Sequence, residues 1–145
     1  MIRLRAASEA EIRDATDNQD SLSGVLASRP IREIWRFDPE EYGAVSVVNP
    51  NRLRPAERVA TAKATWRRQA RDGEECAITA LEKVAALERD LLHDGRFRLR
   101  PILKDKTAET TLENGRHRLV AAYACMTPIE VFWLLTRDDA ARLLG

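Results

Sequence analysis

The stretch Leu112-Glu113-Asn114-Gly115-Arg116-His117-Arg118-Leu119-Val120-Ala121-Ala122-Tyr123-Ala124-Cys125-Met126-Thr127-Pro128-Ile129-Glu130-Val131-Phe132-Trp133-Leu134 decides how this chain is read. Thr110-Thr111-Leu112-Glu113 has the composition of a short strand. Asn114-Gly115 breaks it and opens a helix, whose apolar face is predicted to be Leu119, Ala122, Tyr123 and Met126. Thr127-Pro128 ends that helix. Ile129 to Leu135 is rich in β-branched and aromatic residues, which predicts a buried strand. Thr136 then caps a last short helix, with Asp138 and Asp139 in its first turn.

Upstream of this stretch the hydrophobic period changes several times. Pro101-Ile102-Leu103-Lys104 reads as a strand joined to the next by a turn at Asp105-Lys106-Thr107-Ala108. Residues 77–92 carry Leu81, Val84, Leu87 and Leu91 on one helical stripe, stopped by His93-Asp94-Gly95. Pro55 opens an earlier helix through Val59, Ala62, Trp66 and Ala70, ended by Asp72-Gly73. Ala44 to Val48 is β-branched and stops at Asn49-Pro50-Asn51. Ile31 to Phe37 alternates imperfectly and reads as a strand broken by Asp38-Pro39. Residues 8–27 read as a polar helical arm, with a capping box at Ser8 and Glu11. The order strand, helices, strand, strand, helix, strand, helix predicts an α/β (α+β) domain with one small mixed sheet and flanking helices. Residues 1–43 would form an N-terminal arm and strand, and residues 44–145 the main body, together one compact unit.

Bulk properties narrow the function class. A chain of 145 residues suits one domain with its own core. Net charge is only +1, so any preference for an anionic partner must come from local clusters. The two cysteines, Cys76 and Cys125, have no Cys or His at metal-ligand spacing, so no zinc site is legible. The N-terminus lacks a signal-peptide core, and the run Val131 to Leu135 is too short to span a bilayer. The expectation is a cytoplasmic chain with reduced thiols and no membrane partner.

The turn from Asn114 to Arg118 carries the chemistry. The first N–H groups of a helix have no internal partner and stand at the positive end of its dipole. A phosphate placed there satisfies several donors at once. Gly115 permits close approach, Arg116 and Arg118 add charge-assisted hydrogen bonds, and His117 adds a ring donor. The plain alternative is a helix start with solvated polar side chains.

The same stretch resembles the nucleotide-binding segment of the ParB/sulfiredoxin-like superfamily. That segment is a strand, then Asp/Asn-Gly-x-His-Arg or a variant, then a small-residue helix, then a strand begun at a proline. Asn114, Gly115, His117, Arg118, Ala121, Ala122 and Pro128-Ile129 fit it. Val45 to Glu57 looks like the family's opening strand and Leu-x-Pro turn, so the similarity covers residues 44–135. The resemblance implies a ParB/sulfiredoxin-like fold that holds the phosphates of ATP or CTP on Asn114, Gly115, Arg116, His117 and Arg118. It further implies NTPase or phosphotransferase activity. Sulfiredoxin itself needs a nucleophilic cysteine where this chain has Arg116, so sulfinic-acid repair is not expected.

Some members of the superfamily place a catalytic glutamate soon after the Leu-x-Pro turn, and Glu57 falls at a comparable position. Glu57 is thus the candidate catalytic residue and, with Glu113, the candidate Mg2+ ligand. A carboxylate near a helix start is favoured by the dipole in any case. Arg52, Arg54, Lys63, Arg67, Arg68 and Arg71 form a basic run, with Lys63, Arg67 and Arg71 at helical spacing on one side. That run makes DNA the alternative partner, and a DNA-acting nuclease or a regulator of plasmid or phage processes the alternative function. His93 reads as a helix-end residue. Trp66 and Trp133 read as core, Cys125 as core filler, and Trp35 is left open between core and base stacking.

Overall fold

A computed structural model describes residues 2–19, 22–42, 56–106 and 109–144. The strand read at residues 44–48 lies outside the described residues, as do Arg52 and Arg54. The described elements are β1 (Ile2–Ala6), α1 (Glu9–Asp17), α2 (Leu22–Ser28), β2 (Ile31–Phe37), α3 (Pro39–Tyr42), α4 (Ala56–Arg71), α5 (Glu75–Asp94), β3 (Ile102–Lys106), β4 (Glu109–Asn114), α6 (Arg116–Cys125), β5 (Ile129–Leu135) and α7 (Arg137–Leu144).

The strands form one sheet in the order β1-β2-β5-β3-β4. Only β3 and β5 run parallel, and the other neighbours are antiparallel, so the sheet is mixed as expected. β4 ends level with the start of β3, and α6 returns the chain to that same end of the sheet, so β5 runs parallel to β3. β2 pairs with β5 along its whole length, from Ile31 opposite Leu135 to Phe37 opposite Ile129. The N-terminal part, read as an arm and a strand, therefore builds the same sheet as the C-terminal part.

β5 shows why its sequence is an almost unbroken apolar run. Ile129, Val131, Trp133 and Leu135 face one core with Val84 and Leu91 of α5 and Leu119 to Tyr123 of α6. Phe132 and Leu134 face a second core with Ala15 of α1 and Leu22 and Leu26 of α2. A strand covered by helices on both sides must be apolar at nearly every position. Leu103 and Ile102 of β3 divide between the same two cores, as do Phe37 and Ile34 of β2.

Several local expectations are refined. The Ser8–Glu11 capping box is present, with Ser8 Oγ accepting from Glu11 N at 3.1 Å and Glu11 Oε1 accepting from Ser8 N at 3.1 Å. Thr136 Oγ1 accepts from Asp139 N at 3.1 Å, capping α7 as read. The helical arm is two helices, α1 and α2, preceded by β1, an unforeseen strand. Every residue of β1 is exposed, so it carries no burial period to read. It is fastened instead by Arg3, whose Nε and Nη2 each donate at 3.0 Å to the carboxylate of buried Glu33. Met126, expected on the apolar face of α6, is its exposed C-cap in the left-handed region at φ 46°. Among the described residues no helix is long and apolar enough to cross a membrane.

Candidate functional site

Gly115 joins β4 to α6 at φ +102°, a conformation that L side chains rarely adopt. Space imposes the same demand. A Cβ at Gly115 would lie 2.8 Å from Pro101 Cα and 2.9 Å from Pro101 Cβ. Pro101 is itself fixed, since its carbonyl accepts from Phe132 N at 2.9 Å. The turn is therefore pressed against the segment leading into β3, and its position is set by the middle of the sheet.

From this turn α6 begins at Arg116, with no side-chain hydrogen bond capping its N-terminus. Arg116 is exposed, and Asn114, His117 and Arg118 are partly buried. Arg118 Nη1 donates to the carbonyl of Arg100 at 3.2 Å. Burial lowers the pKa of this guanidinium from the usual arginine value, but arginine stays cationic at neutral pH. The Arg100 side chain is itself anchored, with Nη2 3.0 Å from Glu11 Oε2 and 2.8 Å from Glu130 Oε1.

His117 lies flat against Trp66 of α4, with ring centroids 5.4 Å apart and planes 19° from parallel. Burial, then the charges of Lys83, Arg116 and Arg118, push its pKa below the ordinary imidazole value. The neutral form this favours has one ring nitrogen able to donate and the other to accept. Lys83, on α5, is not singled out by the sequence. Nothing in linear spacing ties α5 to the start of α6; tertiary packing brings them together.

The remaining sequence candidates fall in different places. Glu113 is partly buried and paired with Lys104, Oε2 to Nζ, at 2.7 Å. Glu57 lies within α4, and its side chain lies outside the described residues. Of the two carboxylates expected to hold Mg2+, the described one therefore already serves a lysine. Among the described residues no group of three or more His, Cys, Asp or Glu stands ready to hold a metal.

On α4, Arg67, Arg68 and Arg71 are described together with Lys63, and Arg67, Arg68 and Arg71 differ from it in setting: Arg67, Arg68 and Arg71 are exposed. Lys63 is partly buried and paired with Glu88 of α5. That pair lies near Cys125, whose thiol pKa is raised by burial and by Glu88, against the opposing effect of Lys63. Trp133 is buried, and Trp35 packs edge-on against it, with centroids 4.6 Å apart. His93 is exposed in the last turn of α5, which Gly95 closes at φ 68°. No protein-family model, no curated protein and no solved structure matches the chain.

Proposed function

We propose that this chain binds the phosphates of a nucleotide at the first turn of α6, as a ParB/sulfiredoxin-like protein with NTPase or phosphotransferase activity. The observation that carries this reading is the set of three cations, Lys83, Arg116 and Arg118, whose charges act on His117 at a helix start without a side-chain cap. An anion at the positive end of a helix dipole is favoured, and a phosphate there meets several backbone donors at once. Gly115 supplies the positive-φ turn from which α6 starts. Phosphoryl transfer depends mainly on positioning and charge neutralisation, which such a turn supplies. ATP and CTP are the candidate nucleotides. Mg2+, if bound with them, would be held through Glu57, because Glu113 is engaged by Lys104; its chemistry would be neutralisation of phosphate charge.

The test is a thermal-shift series with ATP, ADP, CTP, GTP and inorganic phosphate, each with and without Mg2+, on the wild type and on Arg116→Ala. A ligand at ~100-fold its Kd stabilises the fold by about 2.7 kcal/mol. Stabilisation that Arg116→Ala abolishes supports the reading. The absence of a shift with every ligand, at millimolar concentration, overturns it.

A second reading rests on the exposure of Arg67, Arg68 and Arg71 on α4. A row of arginines on one helix suits the backbone of DNA and a nuclease or regulatory role in plasmid or phage processes. Tight binding of DNA with no binding of free nucleotide would favour it.

A further inference from the structure

We infer that β1 is a latched strap: it opens from the sheet as a unit of its own, and the latch is the buried carboxylate of Glu33, closed by Arg3. β1 is the edge strand and pairs with β2 alone. All five of its residues are exposed, and none joins either core. Its ladder to β2 shifts register between Arg3 and Arg5, so Leu4 has no partner there. β2 is held by other means. It pairs with β5 from Ile31 to Phe37, and Ile34 and Phe37 are fully buried, one in each core. The packing of β2 therefore rests on β5 and the two cores. A segment that buries little and ends a sheet is the kind that opens locally.

Besides the ladder, charge ties β1 down, through two pairs that are not equivalent. Arg3 Nε and Nη2 each donate to the Glu33 carboxylate at 3.0 Å. Arg5 Nη2 donates to Glu11 Oε2 at 2.6 Å. Glu33 is only 4% exposed, and among the described residues both hydrogen bonds to its side chain come from Arg3. Its neighbours across the two ladders, Ala6 of β1 and Trp133 of β5, carry no charge. Glu11 has a second arginine, Arg100, with Nη2 at 3.0 Å, and also accepts from Ser8 N. Loss of Arg5 therefore leaves Glu11 paired. Loss of Arg3 leaves Glu33 buried without a counter-charge, which is the costly way to break such a pair. When β1 leaves, Ala6 goes with it, and water reaches Glu33 along the vacated edge of β2. The closed strap thus needs Arg3, and opening relieves the carboxylate that closure buries. The open state also bares the backbone donors and acceptors of β2 as a pairing edge. None of this depends on the phosphate reading.

Amide hydrogen exchange, read by NMR on the full chain, tests the latch. The samples are the wild type, Arg3→Gln, Arg5→Ala and the double variant Arg3→Gln with Glu33→Gln. In the wild type the β1 amides bonded to β2 should exchange faster than those of β5. In Arg3→Gln they should exchange about ten-fold faster again or more, with β5 unchanged. Arg5→Ala should accelerate them by a smaller factor, because Glu11 keeps Arg100. The double variant has no carboxylate to strand, so its β1 amides should exchange more slowly than those of Arg3→Gln. Exchange of β1 and β5 at one common rate, or a loss of protection in Arg3→Gln that reaches β5, would show that β1 is no separate unit. Equal acceleration in Arg3→Gln and Arg5→Ala, or a double variant no slower than Arg3→Gln, would show that Glu33 is not the latch. Any of these results overturns the strap.

Discussion

Arg118 is tied to the backbone of Arg100, its Nη1 donating to the carbonyl at 3.2 Å. Arg100 in turn pairs with Glu11 of α1 and Glu130 of β5. The arginine that the sequence offers as a phosphate ligand is thus also a brace between α6 and the segment leading into β3. One residue serves an architectural role and, in the proposed function, a binding role.

The two roles separate by substitution. Arg118→Ala is expected to lower stability by roughly 0.5–1.5 kcal/mol, the usual worth of one hydrogen bond, and to weaken nucleotide binding as well. Arg116→Ala, at an exposed position, is expected to weaken binding by about 1.5–3 kcal/mol with a smaller loss of stability than Arg118→Ala. Urea unfolding and titration calorimetry on both variants check this. Equal stability losses in the two would remove the distinction.

Gly115→Ala is expected to destabilise the fold by about 1–3 kcal/mol from backbone strain alone. Contact with Pro101 adds to that cost, because the new methyl would meet backbone and ring atoms that the sheet holds in place. Gly73, also at positive φ, has open space where a Cβ would stand and serves as the control. Gly73→Ala should cost less than Gly115→Ala in the same denaturant titration. The reverse order would show that the Pro101 contact is yielding.

Stability should fall in acid in two steps. The folded-state pKa of His117 lies below 6.5, so stability from the neutral ring is fully present above that value and is lost as pH falls through the lowered one. For Glu11, burial raises the pKa, but the Ser8 hydrogen bonds, Arg100 and Arg5 together prevail and lower it below 4.5. Its contribution is present above 4.5 and is lost as pH falls through the lowered value. His117→Phe should remove the first step and Glu11→Gln the second, as read from unfolding midpoints across pH. A first step retained in His117→Phe would assign it to another group.

If DNA is a partner, the salt dependence will identify the contacts. Removing Arg67 and Arg71 together should flatten the slope of log affinity against log salt by about two units for duplex DNA. Lys63→Ala should leave the slope unchanged, since Lys63 is already paired with Glu88. Fluorescence anisotropy at several salt concentrations measures both. A slope that Lys63→Ala alters as much as an exposed arginine does would contradict the pairing.

Legibility of the fold followed burial. α5 and β5 are readable because each buries many apolar side chains, at helical spacing in α5 and along nearly the whole strand in β5, and the turns at Gly95 and Gly115 announce themselves by residue type. β1 carries a strand's alternation, Ile2, Leu4 and Ala6 against Arg3 and Arg5, over only five residues, and all five are exposed. Its place depends on the ladder to β2 and on Arg3 meeting Glu33. Met126 misled because an apolar residue at helical spacing can still be the cap that ends the helix. At the candidate site, Asn114 to Arg118 could be singled out from local chemistry alone. Lys83, Trp66 as the platform for His117, and the diversion of Lys63 and Glu113 into ion pairs are products of tertiary packing, which residue spacing does not encode.

The place of β5 has a consequence for how the chain is made. The strand in the middle of the sheet is the last of the described strands to be synthesised, while both of its neighbours precede it. Without β5, the pairs β1–β2 and β3–β4 have no strand in common, and nothing joins their inner edges. A chain cut short before residue 129 lacks the strand that pairs with both edges, so it cannot form this sheet. Completion of the sheet is therefore a late event, closed by one strand from the centre outward.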